Sequence, residues 1–369
     1  MKSYLQNFLI GAFGLVLVML FLPACAPLTT VTTTSQIYWG IYLDGVPWDM
    51  NKLKRFESSI NKSVSIVHWG QPWWHCYSRC GYQSFNAQRA QYEAVRQHGA
   101  IPLLDWGAWD YAVDPVTDQP QFSLKSILAG THDAFLTEWA TQARDWGHPF
   151  FLRLNWEMNG NWYPWSESKN GNAPGEYVQA WRHVHDIFKR VGANNVTWVW
   201  CVSIEYPGSQ DIRSLYPGDD YVDWVGMDGF NWVHIRGLPW RSMAALFTPT
   251  YNFLTSLAPN KPIIIAEFAS SENLTTTDPE LGKARWISDA FLETLPKQFR
   301  NVKAIAWFNW NEGKDAYDWE WDSSISAANA FKQGIASEYY ASNSFANLPN
   351  AKIQPLDSQY KQALSTQKE

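Results

Sequence analysis

Eight short apolar runs, most of them followed by a helical pattern, constrain the fold of this chain more than any other feature. They cover residues 36–43, 63–70, 100–107, 149–157, 196–203, 223–231, 261–270 and 302–310. Each is rich in β-branched and aromatic residues, and turn residues bound most of them, as expected of strands. Their nearly unbroken apolarity suggests strands buried on both faces, the signature of a parallel sheet. Between them, residues 85–99, 131–147 and 175–192 carry apolar side chains three or four apart and end at Gly99, Gly147 and Gly192, which are helix stop signals. A further pattern, 278–299, opens on Asp278 with Pro279 in the first helical position. After the fifth run, DIRSLYPG (211–218) leaves room for only a short helical turn. Strand followed by helix, repeated in this way, predicts an α/β fold: a (β/α)8 TIM barrel spanning 36–341 as one domain. An open doubly wound sheet is the runner-up, but no glycine-rich phosphate loop follows the first run. Residues 342–369 read as a polar, weakly patterned C-terminal tail, partly disordered.

The N-terminal 25 residues do not fit that repeat. Lys2 precedes a run of fifteen uncharged, mostly apolar residues, Phe8 to Leu22. This is short for a membrane span and has the build of an export signal. Leu22-Pro-Ala-Cys25 resembles the bacterial lipobox, in which Cys25 would become the lipidated N-terminus. An ordinary signal cut nearby, or an uncleaved anchor, is the alternative. Residues 26–35 are Thr-rich and suit a tether. An exported protein is therefore expected, either a cell-envelope lipoprotein or secreted, meeting a membrane only through that lipid. Export makes Cys76 and Cys80 a plausible disulfide closing the loop WWHCYSRCGY. A metal site there would need more ligands than His75 provides, and no metal is expected. Cys201 lies in an apolar run and reads as a buried free thiol.

The net charge of −6 and the lack of any Lys/Arg block argue against nucleic acid as a partner. The aromatic content is the odd feature, with 23 Trp, 17 Tyr and 19 Phe in 369 residues. Indole is costly to bury whole because its N–H needs a partner. Flat rings suit the apolar faces of sugars, so a carbohydrate cleft is expected, with an aromatic-rich core as the plainer reading. The stretch RLNWEMNGNWYPW (153–165) sets Glu157 among Trp156, Trp162, Tyr163 and Trp165. In a TIM barrel the active site forms at the C-terminal ends of the strands. Glu157 ends the fourth run and Glu267, in IIIAEFAS, lies near the end of the seventh, each after apolar residues where a charge is expensive. Two carboxylates across one barrel mouth suit glycoside hydrolysis, in which retaining enzymes hold them about 5–5.5 Å apart.

With these residues in view, RLNWEMNGNWYPW, YVDWVGMDGFNW, KPIIIAEFAS and AIAWFNW together resemble glycoside hydrolase family 26, over most of 36–320. The resemblance implies a retaining enzyme with Glu157 as acid/base and Glu267 as nucleophile. Its members are chiefly β-mannanases, and some cleave mixed-linkage β-glucan or β-1,3-xylan. It also implies substrate contacts for His68, at the end of the second run, for Trp162 beside the cleavage point, and for Trp307 under the sugar being cleaved. Trp156 and Trp165 would be sugar platforms beside the acid. Trp156 stands where the family's mannanases carry His, and Phe230 where a Tyr commonly supports the nucleophile. Both departures put mannan specificity in doubt. Among the remaining groups, Asp105 and Asp228 could reach the cleft or pair with a donor, Glu205 could touch substrate, and Arg153 would point into the barrel and need an acid partner. Trp73 or Trp74 could form a distal sugar subsite. The expectation is an exported endo-β-glycanase, most simply a β-1,4-mannanase, with a β-1,3-1,4-glucanase or β-xylanase as the nearer alternative. A barrel that binds polysaccharide without cleaving it is the rival of a different class. No cofactor is required by two-carboxylate chemistry, and a monomer is expected.

Overall fold

The computed structural model describes residues 35–76, 80–232, 238–274, 277–311 and 318–357. The expected signal segment, Cys25, nearly all of the tether and residues 358–369 lie outside them. Eight parallel strands form a closed barrel: β1 (Ile37–Leu43), β2 (Ile66–Pro72), β3 (Ile101–Gly107), β4 (Phe150–Leu154), β5 (Val196–Ser203), β6 (Trp224–Asn231), β7 (Ile263–Ser270) and β8 (Val302–Asn309). Each pairs with the next, and β8 returns to β1 with Tyr42 opposite Phe308. The helices that cover the barrel are α1 (Met50–Ile60), α2 (Arg89–Gln97), α3 (Leu124–Leu128), α4 (Asp133–Trp146), α5 (Glu176–Val191), α6 (Met243–Leu257), α7 (Lys283–Asp289) and α8 (Ile325–Ile335).

Local chemistry accounts for several of these boundaries. Asp49 caps α1, accepting from the N–H groups of Asn51 and Lys52, two of the donors a helix start leaves unpaired. Gly147 and Gly192 end α4 and α5 in left-handed conformation, with φ of 77° and 76°. As the sequence between β5 and β6 suggests, only two short 3-10 turns occur there, Ile212–Leu215 and Asp219–Tyr221.

The C-terminal segment departs from the expectation of a loose polar tail. After α8 a two-residue strand, Tyr340–Ala341, pairs with β1. Residues 342–357 then run across the N-terminal ends of the strands, on the face opposite the carboxylates. Phe345, Leu348, Ile353 and Leu356 are buried. The Ile353 N–H donates to Thr197 Oγ1 at 2.8 Å, and Ile353 O accepts from Trp224 Nε1 at 3.0 Å. Tyr38 Oη donates to Gln354 O at 2.9 Å and Ser35 Oγ to Leu356 O at 2.7 Å. Widely spaced single apolar residues satisfy a strap that buries one side chain at a time, which no helix or strand period would reveal. Ile353→Ala should lower the unfolding free energy by about 3 kcal/mol, measured by urea denaturation, with the catalytic rate of the folded protein unchanged.

Candidate active site

Strand β4 stops at Leu154, and the chain turns sharply over the barrel mouth. Asn155 and Glu157 both take left-handed backbone, with φ of 43° and 51°, uncommon for residues other than glycine and a form of strain that gathers at functional sites. Hydrogen bonds from three other elements hold the turn. Asn155 Oδ1 accepts from Ala108 N at 2.8 Å, and Asn155 O accepts from the Tyr177 hydroxyl at 3.1 Å. The Glu157 N–H donates to Cys201 O at 2.8 Å. Asn159 exchanges two bonds with the Ser203 backbone, each 2.9 Å. The chain then brings Trp162 back, and its Nε1–H donates to Glu157 Oε2 at 2.8 Å. Gly160 permits this approach, because a Cβ there would lie 2.6 Å from the Trp162 ring.

Glu267 reaches the mouth by a different device. Met227 faces Ile265 but Asp228 faces Glu267, so Ala266 is an extra residue on β7. Such a bulge re-aims the side chain that follows it. The Glu267 N–H donates to Asp228 Oδ1 at 2.9 Å. Arg153, fully buried, ties the site together. Its Nη1 donates to Glu267 Oε1 at 3.0 Å and to Asp105 Oδ1 at 2.7 Å, and its Nη2 donates to Asp228 Oδ2. His68 Nε2 lies 2.9 Å from Asp105 Oδ2. One buried cation thus serves three carboxylates, and the Trp156 ring covers its outer side at 5.6 Å.

These contacts divide the two glutamates electrostatically. Burial pushes the Glu157 carboxyl up to about 8; the charge of Glu267 adds to the rise and the Trp162 hydrogen bond opposes it. Burial also raises Glu267, but Arg153, bonded to it directly, acts against that rise. Burial acts to raise Asp105 as well, yet Arg153 and His68 hold it below its ordinary value. Both glutamate carboxyls are thus raised by burial, and Arg153 opposes the rise through a direct hydrogen bond only at Glu267. The ligand atoms of His68, Asp105 and Glu267 lie within 4.8 Å of one another, close enough to surround a metal ion. The Arg153 guanidinium already bonds both carboxylates and lies 3.3 Å from His68 Nε2, so a second cation there would meet its charge.

The aromatic residues divide by direction. Trp162 is half-buried beside Glu157, with the Tyr206 ring 5.5 Å away. Phe230 is half-buried and packs at 5.4 Å from Phe308, which stacks on Tyr42 at 4.8 Å; Trp310 lies 6.0 Å beyond. Four expected substrate contacts point elsewhere. Trp307 faces the helix layer, against Phe268, Trp286, Phe291 and Phe331. Successive strand residues alternate faces, so Phe308 takes the inward position on β8. Trp165 is fully buried, its Nε1 donating to Trp156 O at 2.7 Å. Trp156 is buried over Arg153 rather than laid open as a platform, and His68 is fully buried behind Asp105. Trp73 is likewise buried, Trp74 is half-buried, and Glu205 is exposed on the rim. Cys76 and Cys80 form a disulfide across a short hairpin, Trp74–Cys76 with Cys80–Tyr82, and Cys201 is a buried free thiol. Tyr42 lies near the carboxyls of the site, its phenol raised by burial and by the charge of Glu267. Its only signal in the sequence is its place one residue from the end of β1.

The sequence profile of glycosyl hydrolase family 26 matches residues 88–274. Endoglucanase H of Acetivibrio thermocellus is 34% identical over 290 residues, 77% of this chain and 29% of its own length. A mannan endo-1,4-beta-mannosidase of Bacillus subtilis is 24% identical over 202 residues, 50% of this chain and 49% of its own length. The chain therefore spans less than half the length of either relative. A GH26 β-mannanase from Bacteroides ovatus, BoMan26A, shares the fold with a TM-score of 0.59 at 18% identity, covering 87% of this chain and 94% of that one. With more than half of its length matched by the family profile, and with the barrel and paired glutamates described above, the chain belongs to glycosyl hydrolase family 26.

Proposed function

We propose that this barrel hydrolyses a β-linked polysaccharide internally, by double displacement, with Glu267 as nucleophile and Glu157 as acid/base. The observation that carries the roles is Arg153. It bonds Glu267 directly and favours its carboxylate, whereas Glu157 has burial, a neighbouring anion and one indole N–H. A nucleophile must be ionised and a general acid protonated at working pH, and these environments push the two groups apart in that sense. In the first step the Glu267 carboxylate attacks the anomeric carbon while Glu157 protonates the departing sugar oxygen. In the second, Glu157 as carboxylate takes a proton from a water whose oxygen bonds the anomeric carbon, displacing the Glu267 carboxylate and restoring both groups.

The substrate class favoured is a β-glucan. Endoglucanase H matches more of this chain, at higher identity, than the mannan endo-1,4-beta-mannosidase does. Trp156 further supports this reading, since it offers no imidazole beside the acid and is packed over Arg153. Reducing-sugar release from lichenan, mannan, glucomannan and xylans tests it: lichenan should be cleaved fastest, and mannan cleaved fastest would return the assignment to a mannanase.

Activity should fall as pH rises through about 8, when Glu157 loses its proton. The Trp162 N–H stabilises the carboxylate form, so Trp162→Phe should move this alkaline limb of kcat/KM to higher pH. A limb left in place would show that the indole does not govern the acid.

A further inference from the structure

Cys201 touches the supports of both glutamates. It lies on β5, fully buried. Its carbonyl accepts the Glu157 N–H at 2.8 Å. Its Sγ lies 3.3 Å from Asp228 Oδ1, the same oxygen that accepts the Glu267 N–H at 2.9 Å. The other oxygen of Asp228 accepts from Arg153. Gly226, the residue opposite Cys201 on β6, makes room for the thiol, since a Cβ there would lie 2.8 Å from Sγ.

We propose that Cys201 is a positioning residue for the catalytic pair: its S–H donates to Asp228, which fixes the backbone of Glu267 and one arm of Arg153, while its carbonyl fixes the turn that carries Glu157. The thiol's hydrogen bond goes to Asp228 and not to the carboxyl of either glutamate. Burial raises it well above its ordinary value, so it remains S–H and acts as donor. Asp228 Oδ1 then has two donors, and losing one leaves a buried carboxyl oxygen short of a partner. The inference rests on Glu157 and Glu267 being the reacting pair.

Three substitutions separate hydrogen bonding from packing. Cys201→Ser keeps a donor in less volume, Cys201→Val fills the space with a larger side chain and no donor, and Cys201→Ala keeps neither. Each is measured as kcat and KM per folded molecule, the folded fraction taken from circular dichroism. Serine should hold kcat within about twofold, while alanine and valine should each lose about tenfold with KM unchanged. Valine as active as wild type, or serine as impaired as alanine, would overturn the proposal. If valine does not fold beside Gly226, serine against alanine decides alone. Glu267→Ala in the same assay keeps the two readings apart: substantial turnover there removes the catalytic assignment itself, whereas a dead Glu267→Ala with equal serine and alanine variants removes only the role of Cys201.

Discussion

Glu267→Ala should lose about four orders of magnitude or more in turnover on every substrate, because no glycosyl-enzyme can form without the carboxylate. Glu157→Ala should behave differently. Its loss on polysaccharide should be about 10²- to 10⁴-fold, the share a positioned general acid supplies. A sugar leaving group needs that proton. An activated aryl leaving group of low pKa departs unaided, so the first step should survive and the glycosyl-enzyme should accumulate as a burst of released phenol. Equal losses for the two variants across both leaving groups would mean that the acid role does not belong to Glu157.

Arg153→Met should be the most damaging change outside the glutamates. The guanidinium is fully buried and is bonded to Asp105, Asp228 and Glu267. Removing it leaves three carboxylates facing one another without a cation. Deleting one partner of a buried ion pair costs about 3–5 kcal/mol, mostly through the charge left behind. The deficit in urea unfolding should shrink as pH falls and the carboxylates take up protons, since the lost cation then matters less. Activity should collapse with it, because Glu267 would lose the donor that favours its ionised form. A variant as stable as wild type at neutral pH would contradict the account of Arg153 as the centre of the site.

Much of this arrangement was legible because barrels repeat. The apolar runs mark the strands to within a few residues, and Glu157 and Glu267 stand near the ends of theirs. That Arg153 points inward was also readable. Its partners were not, because Asp105, Asp228 and Glu267 arrive from β3, β6 and β7, and no local pattern says which strands face one another across a mouth. Period-two alternation failed in two places. At the end of β8 and just past it, Trp307, Phe308 and Trp310 fall within four positions, and nothing in AIAWFNW says that Trp307 faces the helices while Phe308 faces the cleft. On β7 the bulge at Ala266 shifts the register just before the glutamate. Residues 342–357 read as part of a polar, weakly patterned tail because a strap across the barrel floor needs only occasional apolar anchors. Trp165 and Trp156 read as sugar platforms for a related reason: a ring that braces the turn and a ring that binds a sugar look alike in sequence, and only the buried Nε1 contact of Trp165 and the packing of Trp156 over Arg153 separate them.

The anomeric configuration of the product formed with azide tests the central claim most directly. With an activated aryl β-glycoside, Glu157→Ala should still form its glycosyl-enzyme on Glu267. Azide needs no general base, so it should attack that intermediate and give the β-glycosyl azide. In Glu267→Ala, azide occupies the space of the missing nucleophile, attacks the substrate from the opposite face, and should give the α-glycosyl azide. Proton NMR of the isolated products distinguishes the two. An α product from Glu157→Ala together with a β product from Glu267→Ala would show that the roles of the two glutamates are reversed.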